Sequence, residues 1–186
     1  MNKRKYSQIT DFYKATNLQV EASTSSNTKK IAVAAILTGL TVALSTFYIP
    51  LGTTKCFPAQ HMMNGLAGVL LGPWYAVLMA TATGTIRNIL GLGTLYAFPG
   101  GIPGALMVGF VHKYFLKNDI ATLSEPLGTV AVGATLSALL FAPIQGHSLT
   151  LYFFWVAFAA SSIPGAILGY VVLKALRRLG LDRMLL

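Results

Sequence analysis

The sequence predicts an all-α integral membrane protein of about six transmembrane helices with both ends of the chain in the cytoplasm. Of 186 residues, 54% are hydrophobic and only 10% charged, outside the usual composition of soluble globular domains. Lys55 and Arg87 are the only charged residues from 31 to 111, and none occurs from 126 to 173. Runs of that length hold several bilayer spans of about 20 residues each. The formal charge of +9 would suit a nucleic-acid binder only if it were gathered on an exposed face. Here the basic residues sit between apolar runs, so we read no nucleic-acid partner.

In chain order, residues 1–28 read as a flexible polar cytoplasmic tail without the apolar core of a secretory signal. Its stretch "YSQITDFYKATNLQV" has the composition of a surface helix on lipid or a partner. Residues 29–180 form the membrane domain, and 181–186 a short cytoplasmic end. Proline and glycine divide the apolar region into six segments, 31–49, 58–71, 74–90, 98–115, 127–141 and 149–173. We read each as a helix, because backbone in lipid must satisfy its own hydrogen bonds and the alternation of a barrel is absent. The second segment would reach only about 21 Å of a roughly 30 Å core. The loop "YIPLGTTKCFPAQHMMN" is therefore expected to fold into the protein from outside and complete the crossing.

Orientation follows from Lys and Arg, which accumulate on the cytoplasmic side. With the N-terminus inside, Lys3, Arg4, Lys5, Lys14, Lys29, Lys30, Lys113, Lys117, Lys174, Arg177, Arg178 and Arg183 are all cytoplasmic. Lys55 and Arg87 are left on the outer side, Arg87 about 20 Å along the third helix. On these boundaries no acidic residue lies inside a span. That argues against carboxylate-driven export, against metal held by paired aspartates, and for no resident cofactor or metal. The lone Cys56 cannot form an internal disulfide, no phosphate-binding loop occurs, and Ser137 in "GATLSALL" lacks a nucleophile-elbow setting. We therefore read the chain as not an enzyme.

Two inward-running segments share I-P-G-A, "GGIPGALMVGFVHK" and "SSIPGAILGYVVLK", with Pro103 and Pro164 marking kinks or first turns. Small residues recur every fourth position as Ala35, Gly39 and Ala43, as Gly101, Ala105 and Gly109, and as Gly165 and Gly169. Such faces let helices approach closely, and the first is the one we expect to meet another subunit. The outer half carries Lys55, Gln60, His61, Asn64, Arg87, Asn88, Tyr96, Gln145, His147, Tyr152 and Trp155, the composition of a small-molecule pocket. Tyr152 and Trp155 also suit an interfacial anchor. Arg87 and Asn88 point about 100° apart, so one is expected to face ligand and the other to tether the "GLGT" turn. The tether is assigned to Arg87.

At "KCFPAQHMMNGLAGVLLGPWYA" and "RNILGLGTLYAFPGGIPGAL" the sequence resembles the ThiW family, substrate-binding (S) subunits of energy-coupling factor (ECF) vitamin transporters assigned to the thiazole part of thiamin. The resemblance implies an S-component-like bundle in the cell membrane that captures hydroxyethylthiazole, or a close relative, from outside. It implies as partners a transmembrane coupling subunit, met by Ala35, Gly39 and Ala43, and two ATPase subunits. It carries Gln60, His61, Asn64, Arg87 and Asn88 over as ligand-side positions. The alternatives are an ECF subunit for another water-soluble vitamin, to which Arg87 lends weight, and a structural or regulatory membrane protein without ligand.

Overall fold

The computed structural model describes residues 3–51, 54–148 and 150–181. Among the described residues the chain is helical apart from one short hairpin and connecting loops, in the order α1 (Lys3–Leu44), β1 (Ile49–Leu51), β2 (Thr54–Cys56), α2 (Pro58–Leu71), α3 (Pro73–Ile89), α4 (Ala97–Val111), α5 (Asp119–Ile144) and α6 (Leu151–Arg178). Among the described residues three helices are long and apolar enough to cross a membrane: Ser26–Leu44 within α1, then α5 and α6. By contrast α2, α3 and α4 have 14, 17 and 15 residues. Side chains such as Ile36, Leu40, Leu139 and Ile167 face outward from the bundle. Apolar surface on this scale fits a lipid environment.

The short α2 is the central element. From Gln60 to Leu71 every residue but Met62 is buried, against α1, α3, α4, α6 and the start of α5. Pro58 opens it, where a missing N–H costs nothing, and Gly72 closes it at φ 85°, which an L side chain rarely adopts. The apolar core gathers around it, including Leu66, Val69, Leu70, Met79, Val108 and Leu173. Buried hydroxyls on α1 are satisfied within the helix, Thr38 donating to Ala34 O at 2.8 Å and Thr41 to Leu37 O at 2.6 Å.

Three elements differ from the sequence reading. The backbone of α1 runs without a break from Lys3 through the stretch read as tail. The loop before α2 is an antiparallel hairpin, with Ile49 opposite Cys56 and Leu51 opposite Thr54. The fifth helix begins at Asp119, well before the expected start at 127. It opens with a tight 3-10 stretch, Asp119–Ser124, and is π-wound over Leu127–Ala134 and Ser137–Phe141. Pro126 sits near that opening, where the helix tolerates a residue without N–H. In consequence Asp119 and Glu125 lie inside a helix long enough to span, and the expectation that no span contains an acid is corrected. Pro103 and Pro164 lie inside α4 and α6 and not in their first turns. Of the end expected to be cytoplasmic, 181–186, all but residue 181 lies outside the described residues.

The small-residue faces separate in the structure. Gly109 packs on the backbone of Pro73, and Gly165 on Pro58 and His61, so both serve internal packing. Gly133 of α5 likewise sits on the Pro99 carbonyl. Ala35, Gly39 and Ala43 are exposed, and a Cβ at Gly39 would meet nothing within 4 Å. Gly133→Val should therefore lower stability by at least about 1–3 kcal/mol, since backbone cannot swing aside. Gly39→Ala should leave it unchanged or raise it by up to about 1 kcal/mol. Thermal melting of both variants in detergent checks the contrast, and equal losses would contradict it.

Candidate functional site

One end of the bundle gathers the hairpin, the starts of α2, α4 and α6, and the ends of α3 and α5. Between them lies a cavity of about 610 Å³. The hairpin is held over it by Phe57, whose N–H donates to Ser161 Oγ at 2.7 Å, and by Cys56, buried with its sulfur 3.9 Å from Ala157 O. Burial pushes the Cys56 thiol up, away from the reactive thiolate form. Thr150 caps α6 by accepting from Phe153 N at 3.2 Å, which sets the start of the aromatic wall. That wall is Tyr96, Phe153, Phe154 and Phe158, with Tyr96 and Phe154 centroids 5.0 Å apart and Phe154 meeting Phe158 edge-on at 89°. At the rim Tyr96 Oη lies 2.9 Å from His147 Nδ1. Burial pushes the Tyr96 hydroxyl up, so a neutral phenol makes this contact.

Arg87 forms part of the cavity lining and is only 1% exposed. Its Nη1 donates to Gln60 Oε1, its Nη2 lies 3.4 Å from Leu92 O, and the guanidinium stands 4.2 Å over the Phe57 ring. Nε has no partner, and Arg87 makes no ion pair among the described residues. The tether expected of Arg87 is shared. Asn88 Nδ2 donates to Gly84 O at 2.8 Å and Thr94 O at 3.1 Å, while Leu92 and Gly93 N–H groups bond the Arg87 carbonyl. Asn88 thus holds the "GLGT" turn, and the Arg87 side chain is directed toward Gln60 and the cavity.

Beneath the cavity is a carboxylate that the sequence reading missed. Glu125, fully buried, places Oε1 2.7 Å from His61 Nδ1, 3.2 Å from Asn64 Nδ2 and 2.7 Å from Thr129 Oγ1. Asn64 also donates to Gly101 O at 3.1 Å, and Thr129 Oγ1 lies 2.9 Å from Gly100 O. The available signal was complementarity: a buried His61 and Asn64 pair needs a polar partner, and Glu125 borders the fifth apolar run. With Nδ1 committed to Glu125, His61 has Nε2 left for the cavity it lines.

Of the sequence-named residues, Lys55, Gln60, His61, Arg87, Tyr96 and His147 line the cavity together. Asn64 sits behind it, in the Glu125 network. Asn88, Tyr152 and Trp155 do not line it: Tyr152 is 74% exposed, and Trp155 Nε1 lies 3.5 Å from Thr135 Oγ1. Phe57, Phe153, Phe154, Phe158 and Ser161 are lining residues the sequence reading did not single out. No group of metal-ligating residues occurs among the described residues.

The family model described as thiamine-precursor transporter protein (ThiW) matches residues 31–179. No curated protein and no solved structure matches the chain.

The Glu125 network gives a stability test. His61→Ala leaves a buried carboxylate without one of its two nearest partners and should cost at least about 1–3 kcal/mol, the range for a buried group that loses a hydrogen-bond partner. His61→Gln, which can still donate, should cost less. Denaturant or thermal unfolding in detergent measures both, and a His61→Ala variant as stable as the parent would remove the network from its structural role.

Proposed function

This chain belongs to the ThiW family of thiamine-precursor transporter proteins, and from that premise we propose that it is the substrate-binding subunit of an ECF-type importer. It sits in the cell membrane as a multi-pass protein with both termini cytoplasmic. The cavity opens outward and captures hydroxyethylthiazole or a close relative. The observation that carries this reading is the cavity itself. An aromatic wall suited to a small heteroaromatic ring faces His61, Gln60 and Arg87, under a hairpin that covers one side. His61 Nε2 and the Gln60 amide are the groups that orient the ring. The basic end, with Lys113, Lys117, Lys174, Arg177 and Arg178, lies opposite the cavity, which supports an outward-facing site.

Energy has to come from partners, since the sequence holds no phosphate-binding loop. A transmembrane coupling subunit and two ATPase subunits supply it. The exposed Ala35, Gly39 and Ala43 face is where we place the coupling subunit, because the small faces of α4 and α6 are spent inside the bundle.

Two measurements test this reading. Hydroxyethylthiazole at a hundred times its dissociation constant should stabilise the purified protein by about 2.7 kcal/mol, read as a raised melting temperature. No shift and no co-purifying ligand would sink the substrate assignment. Gly39→Leu should keep ligand binding yet lose co-purification with the coupling subunit. Retained association would move the interface elsewhere.

A further inference from the structure

We propose that the ligand of this cavity carries an anionic group, a phosphate ester or a carboxylate, and that this group seats on Arg87; the inference rests on reading the cavity as the site of a thiazole-bearing precursor. Arg87 is a permanent cation with five N–H donors in a planar fork. It is 1% exposed, its protein acceptors are the neutral Gln60 amide and Leu92 carbonyl, and its Nε has no partner. A buried charge without a counter-charge is expensive, and the arrangement persists only if something offsets it.

The described residues do not provide that offset. No Asp or Glu lines the cavity. Glu125, the buried acid below, does not line the cavity; His61, Asn64 and Thr129 all lie on its Oε1, and its Oε2 has no hydrogen-bond partner, Arg87 included. Asp119 pairs with Arg177 and Lys174 near the far ends of α5 and α6. A second cation, Lys55, lines the same cavity from the hairpin, its Nζ 4.3 Å from the Tyr48 ring centre. The cavity is thus positive at its floor and at its hairpin side, with an apolar wall between.

A neutral alcohol could accept one hydrogen bond from Arg87 but would leave the charge uncompensated. A phosphate or carboxylate oxygen matches the guanidinium fork and supplies the missing charge, while the ring stays on the aromatic wall. Charge-assisted hydrogen bonds of this kind are worth roughly ten- to a hundredfold in affinity.

The test compares three probes on the purified full chain by isothermal titration: hydroxyethylthiazole, its phosphate monoester, and the methylthiazole carboxylate. At least one anion should bind about tenfold or more tighter than the alcohol, and which one it is tells phosphate from carboxylate. The ratio of anion to alcohol affinity should collapse toward one in Arg87→Gln and persist in Arg87→Lys. An alcohol that binds the wild type as tightly as both anions overturns the inference while leaving the thiazole reading intact. Binding of none of the three overturns both. A ratio that collapses in Lys55→Gln but not in Arg87→Gln overturns the seat on Arg87. The wild-type comparison stands even where Arg87→Gln fails to fold.

Discussion

The bundle depends on one enclosed carboxylate. Glu125 Oε1 receives His61 and Asn64 from α2, Asn64 donates as well to the Gly101 carbonyl of α4, and the single Thr129 hydroxyl of its own helix lies within reach of both Oε1 and the Gly100 carbonyl. Three helices are therefore tied at one depth. Apolar packing alone would let them slide, because lipid tails offer the same contact as another Leu. The glycines of α4 are the space this network needs, since a Cβ at Gly104 would collide with Glu125 and Thr129. The "PGGIPG" run is in that sense a cradle for an acid some twenty residues later.

Fixing α2 in depth also fixes the cavity floor. Successive residues of its first turn serve the two layers: Gln60 meets Arg87 of α3, and His61 meets Glu125 of α5. An acid below and a base above are thus held by adjacent residues without pairing with each other. Gln60 and His61 are the spacers between them. Because α2 is only 14 residues long, its start lies deep enough for the hairpin to close over it and for Phe57 to cover the Arg87 guanidinium.

Much of this was legible where local chemistry decides. The bounds of α2 match the sequence reading because Pro58 and Gly72 mark its ends whatever packs around it. The start of α5 was not legible, because Pro126 reads as a boundary in sequence while a helix tolerates it near its opening. That single shift hid Glu125, which a loop assignment turns into an ordinary surface acid. Nor could spacing alone sort the small-residue faces. The repeats on α1, α4 and α6 look alike as letters, and only the packing of α4 and α6 against α2 and α3 shows which face is left over. Arg87 and Asn88 have different partners, as neighbours about 100° apart on a helix require. Which faced the turn depended on Gln60, a long-range partner with no local signature.

The distribution of positive charge ties the cavity to topology. On an inside-positive arrangement Lys55 and Arg87 are the basic residues that membrane insertion does not account for. Both line the cavity, one from the hairpin and one from the end of α3. A cation on the outer side works against the orientation signal, and a buried one adds a desolvation cost. The Phe57 and Tyr48 rings beside the two cations offset only part of that cost, and a neutral side chain at position 87 would avoid it. What such a replacement would lose is the field that two cations project across an apolar wall, in a space where low polarity makes each charge count for more.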